Sequence, residues 1–177
     1  MYTVVIWGLA VALTAIAGFT DARTGRIPNW LNAVGLLGAL TAHGFQGSAG
    51  LKLATLGLIV SGFVPGILYL LTRGQALGGG DVKLFAVLGA ALGPFAGLEV
   101  QLLSYSLLLC FALCKLTYQG RLLQMLRNAA ALLLRRVAPK LQTPADAPAL
   151  TTLRLGPAIF LAAVLLAVHA NFIWLAL

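Results

Sequence analysis

The chain has 177 residues, of which 60% are hydrophobic and 9% are charged, and its formal net charge is +8. Soluble domains carry about 25% charged residues, so this composition excludes a water-soluble domain and indicates a protein that crosses a membrane several times. The basic residues lie between apolar runs rather than in a soluble patch, which argues against nucleic-acid binding.

Apolar runs of about 20 residues, without the alternating pattern of a barrel, predict an all-α membrane fold. We predict six transmembrane helices that form one membrane domain, residues 1–177, with no basic segment before the first run to mark a cleaved signal peptide. The predicted spans are residues 2–20, 29–45, 52–72, 82–97, 99–117 and 156–176.

Three local patterns refine these predicted helices. In the third span, the pairs Ser61-Gly62 and Pro65-Gly66 predict a kink. In the fourth, glycines spaced by four predict a face on which a neighbouring helix can approach closely. The long connection 118–155 contains an amphipathic stretch with a basic face, which predicts a cytoplasmic helix lying on anionic lipid. The glycines of the fourth span are Gly89, Gly93 and Gly97.

The distribution of basic residues predicts the orientation in the membrane. Eleven of the twelve lysines and arginines belong to the first, third and fifth connections or their flanks, and Lys52 alone lies on the other side. Cytoplasmic connections carry the excess of basic residues, so these connections are predicted to be cytoplasmic and both termini to lie outside. This orientation places Asp21, after the first span, and Asp81, before the fourth, at similar depth on the cytoplasmic side.

Asp81 follows three glycines, Gly78, Gly79 and Gly80, at the start of an apolar segment. A carboxylate at the mouth of a membrane helix is a candidate functional residue, because ionisable groups are costly there. The simpler interpretation is that Asp81 is a helix N-cap. Asp21 is harder to explain in that way, because an acid is unfavourable at a helix C-terminus. A surface ion pair with Arg23 or Arg26 is its simplest alternative role.

The other candidate residues lie in the wrong places to join these two acids. His43 closes the second span and His169 lies in the outer half of the sixth, so both are predicted to be interface or packing residues. Glu99 is assigned to the outer connection between spans four and five, and Asp146 to a proline-rich linker. By elimination, Asp21 and Asp81 form the pair.

Two carboxylates held close together tend to share one proton, since both cannot readily ionise. One member of such a pair can take a proton from water while the other donates one to a peptide carbonyl. The pair titrates as a unit, so neither member is assigned a fixed role. No cofactor or metal site is predicted, and Cys110 and Cys114 are interpreted as packing thiols.

At these residues the sequence resembles the type IV prepilin peptidases, a family of intramembrane aspartyl proteases with six spans. The family has an acid after the first span and a GxGD motif that opens the fourth, matched here by Gly78-Gly79-Gly80-Asp81 and continued by Val82-Lys83-Leu84. The segment from Asp21 through Ile27-Pro28-Asn29 and the triplet Leu155-Gly156-Pro157 are also similar to the family.

The resemblance implies cleavage of a short basic leader, after a glycine, from a pilin-like precursor at the cytoplasmic face of the bacterial inner membrane. The chain lacks the cysteine-containing loop of longer family members, so it looks like the peptidases of Flp pili, without N-methyltransferase activity. The glycines 78–80 would let the substrate backbone approach. Lys83 and Asn29 are candidates for orienting the site, or else a headgroup-binding lysine and a helix-start residue.

Two other classes of function compete with a protease. Paired membrane acids also serve as proton relays in transporters and channels, but those acids are expected near the membrane midplane, in segments repeated between the two halves of the chain. Here both acids lie at one face and no internal repeat is visible. A non-catalytic subunit of a pilus or secretion assembly, in which the acids only cap and pair, is compatible with the sequence. The oligomeric state is not predicted.

Overall fold

The computed structural model describes residues 2–75, 77–120 and 154–176, and this part of the chain is all-helical. Its six helices are α1 Tyr2–Thr24, α2 Asn29–Gly44, α3 Gly47–Thr72, α4 Gly79–Leu92, α5 Pro94–Tyr118 and α6 Gly156–Ala176. The predicted interfacial helix falls between residues 121 and 153, outside the described residues.

Three of these helices are long and apolar enough to cross a membrane: Thr3–Thr24 within α1, Gly47–Thr72, and Pro94–Tyr118. Their outward faces are covered with large apolar side chains such as Phe63, Leu70 and Leu102, all more than half exposed. Apolar surface on this scale requires a lipid environment. The all-α prediction is therefore confirmed for the described residues, and six spans with both termini outside remain a prediction.

The helices fall into two compact units, residues 1–107 with 154–177 and residues 108–153. Within the first unit, α4 is the central helix and packs against α1, α2 and α3. Its length of 14 residues is short for a membrane helix, and its buried side chains include Leu84, Phe85 and Leu88. Of the second unit, the structure describes the last part of α5, followed by a turn at Gly120.

Helix α4 packs most closely against α3, through glycine. A Cβ added at Gly57 of α3 would overlap the carbonyl of Gly89 in α4, and one added at Gly89 would meet the Ser61 side chain within 2.6 Å. The predicted close approach at Gly89 is thus confirmed. The absence of side chains lets the two backbones touch, which provides van der Waals contact where lipid gives no hydrophobic driving force.

The boundary between α4 and α5 differs from the predicted spans. The predicted fourth span extends to residue 97, but α4 ends at Leu92 and α5 begins at Pro94. Gly93 has φ 86° and ψ 173°, a conformation essentially confined to glycine. Pro94 then suits the first position of the next helix, where its missing N–H costs nothing. Consequently Gly97 and Glu99 lie in α5, and the assignment of Glu99 to a connection was wrong.

Helix α3 is continuous through Pro65, and it ends at Arg73, which adopts φ 52°. The N–H of Gly74 donates to the carbonyl of Tyr69 at 2.9 Å, which satisfies one of the last carbonyls of the helix. This turn leads directly into the glycines that precede α4.

The substitution Gly57→Ala should destabilise the protein, because the new methyl group would overlap the Gly89 carbonyl. Gly66→Ala, in the same helix, is the matched control, since a Cβ there meets nothing within 4 Å. Alanine at Gly66 should leave the melting temperature unchanged or raise it slightly, because alanine favours a helix by about 0.5–1 kcal/mol over glycine. Thermal unfolding in detergent measures both variants. Equal melting temperatures for the two would contradict the close α3–α4 contact.

Candidate active site

The two predicted acids lie in different helices of the same unit. Asp21 is one turn before the end of α1 and its side chain is 7% exposed. Asp81 is the third residue of α4 and is half-buried. The prediction that Asp21 begins a polar connection was wrong by one turn, because α1 continues to Thr24.

Asp21 is held by the first residue of α6. The backbone N–H of Gly156 donates to Oδ2 of Asp21 at 2.9 Å, and the bond is buried. A Cβ at Gly156 would come within 2.7 Å of the Asp21 Cβ, so glycine is required for this approach. Arg154 reinforces the junction by donating a hydrogen bond to the carbonyl of Ala22. The ends of α1 and α6 are therefore joined around the Asp21 carboxylate.

This arrangement accounts for an acid near a helix C-terminus. The negative end of the α1 dipole disfavours a carboxylate, but the start of α6 presents free N–H groups and positive partial charge to the same group. The simpler role, an ion pair with Arg23, has less support, because the Arg23 guanidinium lies 4.2 Å from the centre of the Phe19 ring.

Asp81 is not the N-cap of α4. Gly78 occupies that position, with extended backbone angles, and Asp81 lies three residues later. Its carboxylate accepts a hydrogen bond from the Gly78 backbone, in the way the third residue of a capping box bonds back to the cap. The other oxygen, Oδ1, is buried and has no hydrogen-bond partner among the described residues. Capping thus uses one side of the carboxylate and leaves the other available.

The two carboxylates are close enough to interact electrostatically. Asp81 precedes the predicted span 82–97 and lies outside the three long apolar helices. The pKa of Asp81 is raised to about 6, mainly by burial and also by the negative charge of Asp21, while the Gly78 hydrogen bond opposes both effects. The structure therefore brings the two acids into one electrostatic unit, as an acid pair requires.

The segment before α2 packs against the start of α4. A Cβ at Gly80 would meet the Ile27 Cβ at 3.0 Å, so Gly80 allows this segment to approach. Pro28 is the N-cap of α2, in extended conformation, rather than a residue of its first turn. Nζ of Lys83 donates to Oδ1 of Asn29 at 2.8 Å, and both side chains are exposed. The two predicted orienting residues therefore bind each other across α2 and α4.

Gly78 and Gly79 have different surroundings from Gly80. Gly78 is exposed and lies against the Asp81 carboxylate, since a Cβ added at Gly78 would come within 3.0 Å of Oδ2. Gly79 is half-buried, and a Cβ there would lie 3.6 Å from the Tyr69 ring. That these glycines let the substrate backbone approach remains a prediction. Gly80 also has a packing role, because it lets the segment before α2 approach α4.

Asn32 is a polar residue near the site that the sequence reasoning missed. It is buried, and its Nδ2 lies 3.5 Å from the carbonyl of Gly80, a long hydrogen bond. A polar amide inside an apolar span, one turn after Asn29, was the available signal. Together with Gly156 as a donor to Asp21, Asn32 extends the site beyond the predicted residues.

The remaining candidates lie elsewhere. His43 is buried and its Nε2 donates to the carbonyl of Ala91 at 2.9 Å, near the end of α4 opposite to Asp81. Its predicted packing role is confirmed, while His169 is exposed on α6. Cys110 and Cys114 are free and exposed. Within the described ranges, no group of three or more His, Cys, Asp or Glu side chains could hold a metal ion.

The raised pKa of Asp81 predicts a pH-dependent effect of Asp81→Asn. The folded protein binds this proton more tightly than the unfolded chain, so the contribution of Asp81 to stability is highest below pH 3.8, declines as the pH rises to about 6, and is level above that. The melting temperature of Asp81→Asn relative to wild type should therefore increase between pH 4 and 6 and then level off.

Thermal unfolding in detergent from pH 4 to 8 measures this difference. Glu99→Gln is the matched control, because it removes an exposed carboxylate of the same unit. If the melting temperatures of Asp81→Asn and wild type differ by the same amount over the whole pH range, the burial of this carboxyl group is contradicted.

Comparison with known proteins identifies the family. A family model, the type IV leader peptidase family, matches residues 8–114, which contain Asp21, the segment 27–29, the three glycines and Asp81. Searches of curated proteins and of solved structures give no match. The matched region covers more than half of the chain and both acids, and the chain therefore belongs to the type IV leader peptidase family.

Proposed function

We propose that this protein is an intramembrane aspartyl endopeptidase in which Asp21 and Asp81 form the catalytic pair. The observation that carries the proposal is the proximity of two carboxylates from α1 and α4 within a chain of a peptidase family. The start of α6 stabilises the Asp21 carboxylate, and the start of α4 stabilises that of Asp81. One oxygen of Asp81 has no protein partner in the described part of the chain. An oxygen of this kind is available to a water molecule or a peptide group.

The chemistry follows from one proton shared by two carboxyl groups. The ionised carboxylate takes a proton from a water molecule, and the water oxygen forms a bond to the carbonyl carbon of the peptide. The protonated carboxyl donates its proton to the carbonyl oxygen, which gives a tetrahedral intermediate. The C–N bond then breaks as the peptide nitrogen gains a proton from the acid pair and a hydroxyl of the intermediate returns its proton to the pair, so that one proton again remains shared.

The substrate we propose is a pilin-like precursor with a short basic leader, cleaved after a glycine at the cytoplasmic face of the bacterial inner membrane. Support comes from the excess of basic residues in the predicted cytoplasmic connections and from the position of both acids near helix ends. The chain lacks a cysteine-containing loop, which favours a short, Flp-type peptidase without N-methyltransferase activity.

Lys83 and Asn29 fit a supporting role in this proposal. Their hydrogen bond of 2.8 Å ties the segment after Asp21 to the helix that carries Asp81. The pair is exposed, so it can restrain the mouth of the site without being buried in it. We propose that it fixes the relative position of the two acids rather than binding the leader.

The catalytic pair predicts that Asp21→Asn and Asp81→Asn each abolish cleavage, because an amide can neither accept the proton of water nor share it. We expect a loss of at least about 10³-fold, within the range that acid–base catalysis contributes. The measurement is cleavage by purified protein in detergent of a pilin-like precursor from the same genome, followed by mass spectrometry of the new N-terminus.

Glu99→Gln is the control for loss of a carboxylate outside the pair and should cleave at the wild-type rate. Cleavage retained by either aspartate variant would refute the catalytic pair. If all proteins are folded and wild type fails to cleave any basic-leader precursor, the protein is instead a transporter or an assembly subunit.

The proposed orientation predicts where a C-terminal fusion lies. Alkaline phosphatase is active only outside the cytoplasm, so a fusion of this enzyme to the C-terminus should be active. Green fluorescent protein does not fluoresce after Sec-dependent export, so its fusion to the C-terminus should be dark. Fusions within the connection 73–78 should give the opposite pattern. Cytoplasmic behaviour of the C-terminal fusion would contradict six spans with both termini outside.

A further inference from the structure

Tyr105 of α5 lies beside the first turns of α4, near Asp81. The two helices are joined by Gly93 alone, and each residue is twelve positions from it (93 − 81 and 105 − 93). The helices meet near the turn, where a Cβ at Gly97 would lie 2.7 Å from the Gly89 Cα. Because both helices rise about 1.5 Å per residue, α5 is long enough for Tyr105 to reach the first turns of α4.

Direct contacts support this alignment. The Tyr105 ring packs against Phe85, with 5.4 Å between ring centroids and 58° between ring planes. Phe85 is fully buried and lies one turn after Asp81, on the same face of α4. Tyr105 is also within range of the charge on Asp81. It therefore lies on the face of α4 that carries the catalytic carboxylate.

The hydroxyl of Tyr105 makes no hydrogen bond of ordinary geometry with the described residues. It is buried beside the side chain of Gln101, one turn earlier on α5, whose carboxamide oxygen is likewise without such a bond. Buried polar groups in folded proteins are nearly always hydrogen-bonded. The ring contact with Phe85 needs no hydroxyl, so phenylalanine would pack equally well.

Three polar atoms without a hydrogen-bond partner thus belong to Tyr105 and to two residues that interact with it: the Tyr105 hydroxyl, Oδ1 of Asp81 and Oε1 of Gln101. Of these, the tyrosine hydroxyl is a hydrogen-bond donor in every relevant protonation state, whereas the carboxylate and carboxamide oxygens accept. A peptide group offers both a carbonyl that accepts and an N–H that donates. The set is therefore complementary to the backbone of an extended peptide.

We propose that Tyr105 is a substrate-contacting catalytic residue, whose hydroxyl donates a hydrogen bond to the carbonyl oxygen of the peptide bond that Asp21 and Asp81 cleave. The bond strengthens in the transition state, where negative charge develops on the carbonyl oxygen before the proton of the acid pair is fully transferred to it. Tyrosine keeps its proton throughout, so the proton balance of the acid pair is unchanged. Gln101 accepts from a backbone N–H of the same substrate. This inference rests on the proposed peptidase function.

The test is Tyr105→Phe, which keeps the ring contact with Phe85 and removes the hydroxyl alone. We expect kcat for precursor cleavage to fall about 10- to 100-fold with KM little changed, because the lost bond acts mainly in the transition state. The melting temperature should be unchanged or higher, since a buried hydroxyl without a partner is removed. Tyr118→Phe, an exposed tyrosine on the same helix, is the matched control and should cleave at the wild-type rate.

The possible outcomes separate the two proposals. If wild type cleaves and Tyr105→Phe cleaves equally well, the role of Tyr105 is refuted while the peptidase function stands. A lower melting temperature for Tyr105→Phe, with a loss of activity that follows the loss of folded protein, would make the hydroxyl a structural group and also refute the inference. If wild type does not cleave the precursor, the peptidase function itself has failed.

Discussion

The hydrogen bond from Gly156 to Asp21 is the interaction on which the site depends. A carboxylate that is 7% exposed at the end of an apolar helix would be costly without a compensating partner, and the α1 dipole adds to that cost. The start of α6 supplies an N–H donor and positive partial charge at 2.9 Å. Because α1 and α6 are the first and last helices of the described residues, the geometry of the proposed site is complete only when these two helices have packed together.

Asp81 is stabilised in the same way, by the start of its own helix, α4. It lies in the first turn of α4, accepts a bond from Gly78, and follows Gly80, where a Cβ would press on Ile27. Glycine at position 80 admits the segment before α2, and glycine at position 57 lets α3 reach the backbone of α4. These small residues allow the helices to pack closely, while the helix starts offset the charge of both acids.

The pairing of Asp21 with Asp81 was predictable because it follows from chain order and charge. Alternate connections share a membrane face, so two acids at odd connections must lie on one side, and the matching family supports their assignment. The break at Gly93 was harder to foresee, because glycines spaced by four suit one continuous helix as well as two. Only the backbone conformation of Gly93 distinguishes them, and the break at Gly93 allows Tyr105 of α5 to contact Phe85 of α4.

The surroundings of the two acids differ in a way that the sequence did not indicate. Asp21 accepts a buried N–H bond from α6, which stabilises a negative charge, whereas Oδ1 of Asp81 has no donor among the described residues. An uncompensated oxygen favours the protonated form, and the neighbouring charge of Asp21 favours it further. Asp81 is therefore the member of the pair whose negative charge the surrounding protein compensates less.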